Sequence, residues 1–137
     1  MDAAFKLDAR LAADTFPVGD LPLCRVLLMR DRRYAWLVLA PRRAGMVEVS
    51  DLDEGERATL WREVDRAAAA LRAAAPCDKV NIGALGNIVR QLHVHVLARV
   101  EGDAAWPGPV WGHSAAVPYD GGEAERLVGA LRRLLGI

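Results

Sequence analysis

The reading of this chain turns on KVNIGALGNIVRQLHVHVLARV, residues 79–100. The stretch is β-rich, carries a glycine-containing turn at Gly83–Gly86 and continues into a long apolar run, so it reads as a β-hairpin. Inside that run two titratable rings, His93 and His95, stand one residue apart. Alternate side chains of an extended strand share a face, which puts Gln91, His93 and His95 on one side and Leu92, Val94 and Val96 on the other. At a rise of roughly 3.3 Å per residue the two imidazoles lie about 7 Å apart, close enough for both to contact one small group. The apolar stripe suits packing on a helix, and the polar stripe is left facing a substrate.

Working outward, LCRVLLM (residues 23–29) and YAWLVLA (34–40) flank RDRR as two apolar runs of strand length, a second antiparallel hairpin closed by Pro41. Between the hairpins, SDLDEGERATLWREVDRAAAALRAAAP (50–76) has acids at its start, then Leu60, Trp61, Val64, Ala68 and Leu71 at helical spacing, and Pro76 to end it. This is the long helix. Phe5, Leu7 and Leu11 suggest a short helix that stops before Thr15 and Pro17. Residues 101–122 are too dense in Pro and Gly for regular structure. Leu127, Ala130, Leu131 and Leu134 then share a face of a C-terminal helix at about residues 121–136, with Asp120 and Glu123 placed to form a capping box. The order of elements predicts an α+β fold with a mostly antiparallel sheet.

The chain has 137 residues, a length for one domain, read here as residues 1–137 with a core at about 15–112. Eighteen basic residues balance eighteen acidic ones, so no global field draws the protein to nucleic acid or an anionic membrane. An anionic substrate must be gripped locally. Charges throughout the first fourteen residues argue against a signal peptide, and no apolar run reaches a membrane span; the expected location is cytoplasmic. Cys24 and Cys77 have no CxxC spacing and read as small buried apolar residues.

Three chemistries fit an HxH pair on a strand. The histidines can be structural. They can chelate a metal, which requires a third ligand from residues such as His113, Asp103 or Glu101. Or they can act on a phosphoryl group, one neutral imidazole attacking while its neighbour handles a proton.

The block Gln91-Leu92-His93-Val94-His95-Val96-Leu97 resembles the signature of the histidine triad family, His-φ-His-φ-His-φ-φ with φ apolar, with glutamine in the first place. Gly86-Asn87-Ile88-Val89-Arg90 is similar to the turn that precedes that triad, Asn81 with Gly83 to the Asn-x-Gly of the preceding strand, and Trp106-Pro107-Gly108 to the Trp-Pro segment of the nucleoside phosphoramidase branch. The likeness extends over about two thirds of the chain. It implies a five-stranded, mostly antiparallel sheet with the long helix packed on it, and a homodimer. It implies that His93 is the nucleophile toward an α-phosphorus, forming a nucleotidyl-histidine, and that His95 contacts phosphate or leaving-group oxygen. Gln91, which cannot titrate, would orient a neighbour or bind phosphate. Asn81, Gly86, Asn87 and the backbone at Ile88 would hold the phosphate, Asp31 the ribose, and Trp106 with Trp111 the base or a dimer interface. Ile88 replaces the usual hydroxyl residue. The implied substrate is a dinucleoside polyphosphate or nucleoside phosphoramidate, with no cofactor and a divalent ion left open. A nucleotide-binding module with little turnover and a His-ligated metal enzyme are the competing readings.

Overall fold

The computed structural model describes residues 5–137, so the first four positions of the charged opening segment lie outside the described residues. The elements run in the order α1 (Ala9–Asp14), β1 (Thr15–Asp20), β2 (Cys24–Met29), β3 (Ala35–Pro41), a 3₁₀ turn (Val49–Asp51), α2 (Glu54–Ala74), β4 (Lys79–Gly83), β5 (Val94–Arg99) and α3 (Glu123–Leu135). The five strands form one antiparallel sheet in the order β1-β2-β3-β5-β4. Strand β1 is absent from a reading by hydrophobic pattern. Its sequence, TFPVGD, contains a proline and a glycine, and the register slips between Pro17 and Gly19. An edge strand tolerates both, because the missing N–H faces no neighbour.

Strand parity separates the two faces of the sheet. Val26, Leu28, Leu37, Leu39, Val94, Val96 and Ala98 bury against Leu60, Val64, Ala67 and Leu71 of α2. Leu27, Trp36, Val38 and Leu97 point the other way, into a smaller cluster with Leu11 and Val110. The apolar stripe of the histidine strand therefore lies in the cluster that holds the long helix, as expected.

Helix α2 starts on a reciprocal capping box, in which Asp53 accepts from the Glu56 backbone (2.8 Å) and Glu56 accepts from the Asp53 backbone (3.0 Å). Its buried face is rotated from the expected one: Trp61 is 45% exposed and Glu63 is 2% exposed. The carboxylate of Glu63 is buried because it accepts from the backbone N–H of Leu23 (2.9 Å) and of Cys24 (2.8 Å), which stitches the helix to the start of β2. Cys24 is buried, and burial followed by the Glu63 carboxylate pushes its thiol up; Cys77 is only half-buried. Helix α3 is capped by Gly122 without a side-chain bond, so the Asp120–Glu123 box does not form. Asp120 instead pairs with Arg32 at 3.5 Å. Ala124, Leu131 and Leu135 are the buried residues of α3, while Leu134 is half-exposed. Among the described residues no helix is long and apolar enough to cross a membrane.

The hairpin expected over residues 79–100 is also different. After Gly83 the chain leaves the sheet and rejoins it only at Val94. The backbone between is committed elsewhere: Gly86 adopts φ 72°, the Ile88 carbonyl accepts from Arg10, and the Leu92 N–H donates to Met46 O. Gln91 and His93 thus precede the strand, and only His95 occupies a strand position on the open face.

Removing the Glu63 carboxylate strands two buried N–H donors, each bonded to a charged group. Glu63→Ala is expected to lower unfolding stability by about 3 kcal/mol, and Glu63→Gln by about half that. Urea unfolding with an unchanged m-value measures it, and a loss below about 0.5 kcal/mol for the alanine variant contradicts the role given to this side chain.

Candidate active site

Strand β5 carries His95 directly across from Val38 of β3 and Gly83 of β4. The ring is enclosed by aromatic neighbours, with centroids at 4.9 Å for His93, 5.4 Å for Trp111 and 5.7 Å for Trp36. Trp36 Nε1–H donates to His95 Nδ1 at 3.0 Å. An indole N–H is only a donor, so His95 Nδ1 is the acceptor, and in the neutral ring the proton sits on Nε2. Burial, then the neighbouring His93, lowers the His95 pKa from 6.5 to about 3. His95 is a neutral ring that offers one N–H.

His93 has the opposite arrangement. Its Nδ1 lies 2.7 Å from the backbone carbonyl of Gln91. A carbonyl only accepts, so Nδ1 carries the proton and, in the neutral ring, Nε2 holds a free lone pair. One imidazole therefore presents a nucleophilic nitrogen and its neighbour a hydrogen-bond donor.

A cavity of about 640 Å³ opens over both rings. Gly86, Asn87, Ile88 and Val89 form one wall, Leu11 and Asp14 another, and Asp31, Arg33, Trp111 and Ser114 a third. Among the described residues, the backbone N–H groups of Gly86, Asn87 and Ile88 meet no acceptor. The Ile88 side chain is 80% exposed, so the wall is made by its backbone loop more than by its side chain.

The expected site residues divide on this geometry. His93, His95, Gly86, Asn87, Ile88 and Asp31 line one cavity. Asp31 is 2% exposed and grips Arg33 through Nε and Nη2, both at 3.0 Å, and Arg33 Nη1 reaches Ser114 Oγ. Its oxygens meet protein donors. Gln91 turns away: its Oε1 accepts from Asp8 N and its Nε2 donates to Lys6 O, each at 2.8 Å. It borders a separate depression of about 290 Å³ that also touches His93. Asn81 is not on the wall of the larger cavity. Its Oδ1 accepts from Arg99 Nη1 at 2.9 Å.

Arg99 is 1% exposed and paired through Nε and Nη2 with Asp103 at 2.8 and 2.9 Å. Arg99 holds the Asp103 carboxyl below its usual range, and Asp103 also accepts from the Val100 and Trp106 backbones. Trp106 lies over the Arg99 guanidinium at 5.6 Å and is outside the cavity lining, so the loop's aromatic contact with the site comes from Trp111. Gly83 makes room for that ring; a Cβ there would come within 3.0 Å of Trp111 Cη2. Among the described residues no group of three His, Cys, Asp or Glu is placed to hold a metal ion. Asp103 is engaged by Arg99, and His113 is exposed beside Ser114.

Two functional positions escape sequence reading. Trp36 sits in an apolar run where nothing marks it, and only the β3–β5 register brings its face to His95. The N-terminal wall is built by Leu11, whose spacing suggests no more than a short helix.

His95 is expected to stay neutral, with its proton on Nε2, from pH 8 down to pH 4.5 in ¹⁵N-detected imidazole spectra. The unfolded chain takes up this proton as pH falls through 6.5, while the folded chain does so only near 3. The corresponding stability is therefore complete above 6.5 and lost as pH falls toward 3. Titration of His95 near 6 in the folded protein contradicts the geometry. Trp36→Phe is expected to let both tautomers appear.

The family model for the HIT domain matches residues 10–102. Among solved structures, a histidine triad protein from Bradyrhizobium japonicum is 50% identical with a TM-score of 0.94, covering 96% of this chain and 98% of that one. One from Sinorhizobium meliloti is 48% identical with a TM-score of 0.94, covering 97% and 98%. A third, from Marinobacter aquaeolei, is 40% identical with a TM-score of 0.93, covering 98% of each chain. Among curated proteins none matches. The antiparallel sheet, the histidine strand and these matches agree, and the chain belongs to the histidine triad family.

Proposed function

We propose that this chain is a nucleotide-binding phosphohydrolase or nucleotidyl transferase that attacks the α-phosphorus of a dinucleoside polyphosphate or nucleoside phosphoramidate. The observation that carries the reading is the opposed protonation of the two rings, with His93 Nδ1 on a carbonyl and His95 Nδ1 under an indole N–H. In this reading His93 Nε2 forms the N–P bond as the bond from phosphorus to the leaving group breaks. Water then cleaves the nucleotidyl-histidine and restores the imidazole. The N–H groups at Gly86, Asn87 and Ile88 and the His95 Nε2–H take the charge that develops on the phosphoryl oxygens. No residue here is assigned to a cofactor, and a divalent ion would enter with the substrate.

A neutral His95 supplies a hydrogen bond more readily than a proton. That suits a leaving group that departs as an anion, so phosphoanhydrides are the favoured member of the substrate pair. In this reading Asp31, ion-paired with Arg33, and Trp111, both in the cavity wall, are assigned to the ribose and base. The reading carries a homodimer with it, supported by two large apolar side chains left exposed, Ile82 at 47% on edge strand β4 and Trp61 at 45% on α2. Each protomer acts as one domain.

Mixing the protein with diadenosine tetraphosphate radiolabelled in the α-phosphate and quenching within a single turnover is expected to trap an adenylyl adduct on His93. His93→Ala abolishes it, and His95→Ala slows its formation by about 10²-fold or more. A wild-type protein that binds adenine nucleotides but forms no adduct with phosphoanhydride or phosphoramidate is a binding module instead. Stoichiometric zinc or iron lost in both histidine variants would replace this reading with a metal enzyme. Hydrolysis of an alkylamine phosphoramidate faster than of the dinucleoside polyphosphate would refute the leaving-group preference.

A further inference from the structure

We propose that Gln91 is a positioning residue that ties an N-terminal strap, residues 6–14, to the cavity and thereby sets nucleotide affinity. The affinity half rests on the nucleotide reading given above; the anchoring half does not. The amide of Gln91 is used at both ends, accepting from the Asp8 N–H and donating to the Lys6 carbonyl, each at 2.8 Å. It pairs with the strap as a neighbouring strand would. Among the described residues, these are the only hydrogen bonds that join residues 6–8 to the rest of the fold. Beyond them Asp8 caps α1 by accepting from Arg10 N at 2.8 Å, and Arg10 Nη1 reaches the carbonyl of Ile88 in the glycine loop at 3.2 Å. Leu7 and Leu11 pack in the cluster that also holds Val89 and Trp111. Through this packing Leu11, Ala13 and Asp14 become cavity wall.

The same residue meets the reacting centre by its main chain, since the Gln91 carbonyl holds His93 Nδ1 at 2.7 Å. Side chain and carbonyl therefore have separate tasks. Losing the side chain should loosen the wall and leave the nucleophile's tautomer in place, so the effect falls on binding more than on the chemical step. Histidine does not replace it. The two ring nitrogens of an imidazole diverge and cannot accept from one backbone group while donating to its neighbour two residues away.

The test reads the strap and the site separately. Hydrogen exchange of the Asp8 amide and tryptic cleavage after Lys6 and Arg10 are followed in the wild type, Q91A, Q91E and Q91H without nucleotide. Each strap bond lost is expected to speed Asp8 exchange by about fivefold or more. The Kd for AMP by calorimetry, and KM with the labelled dinucleoside polyphosphate, are expected to rise about tenfold in Q91A and Q91H, with a smaller change in kcat. Unchanged Asp8 exchange in Q91A overturns the anchor. Faster exchange with unmoved AMP affinity, or a loss confined to kcat, overturns the control of binding. Should Q91A fail to fold, the pair D8P and D8A cuts from the other side. Both lose the helix cap, but only proline, at a position with φ −54°, also removes the N–H that Gln91 accepts. Weaker AMP binding in D8P than in D8A supports the strap, and equal binding overturns it. A wild type that binds no nucleotide defeats the proposed function, while Asp8 exchange still decides the anchor.

Discussion

The hydrogen bond from Trp36 Nε1–H to His95 Nδ1 gives the site its polarity. Two imidazoles 4.9 Å apart, if left alone, would exchange protons and tautomers and could trade roles. One directional donor prevents that for His95, and one directional acceptor, the Gln91 carbonyl, prevents it for His93. Neither partner titrates, so the arrangement does not change with pH as a carboxylate partner would. The aromatic enclosure adds to this by making the charged form of His95 costly to form. Trp36 reaches His95 only because β3 pairs with β5 in the register Trp36↔Leu97 and Val38↔His95. The sheet topology is in this sense a component of the site.

Charged groups buried elsewhere have a positioning role of the same kind. Arg99 and Asp103 are almost fully enclosed, and an ion pair so placed is weak grounds for stability in itself. Its remaining bonds show what it organises. Asp103 accepts from the Val100 and Trp106 backbones and Arg99 donates to Asn81, which fixes the start of the segment that brings Trp111 to His95. Gly83 completes the arrangement by omitting a Cβ where the Trp111 ring arrives. Glu63 does the equivalent work on the helix face, closing two backbone donors at the entrance to β2.

The legible parts of the fold were those written as periodicity. The long helix and the apolar stripe of β5 each carry a repeat of one physical period, and the hairpin of β2 and β3 shows as two apolar runs parted by charge. Strand β1 is short and interrupted by Pro17 and Gly19, and its pairing with β2 overrides its composition. The segment before β5 departs from the expected strand because alternation in sequence does not require one. Leu92 and His93 alternate as expected, yet the Leu92 N–H donates to the Met46 carbonyl and the Gln91 carbonyl accepts from the His93 ring. In the site, histidine spacing and Gly86-Asn87 marked the wall that faces the rings. Asn81 carried the right local pattern, but its oxygen is taken by a guanidinium eighteen residues away in sequence, a pairing that no local pattern encodes.

Residue 91 divides its contacts between side chain and main chain. If the side chain at this position were the partner of the His93 ring, its identity would decide which His93 nitrogen carries the proton. The partner is instead the main-chain carbonyl of residue 91, which every amino acid supplies. The backbone must still be held so that this carbonyl points at Nδ1, and here the side chain is engaged with Lys6 and Asp8. Glutamine suits that engagement because it offers a donor and an acceptor on one rigid plane, matching the alternation of a peptide backbone. Position 91 thus engages backbone groups through its side chain, while its carbonyl makes the contact that orients His93.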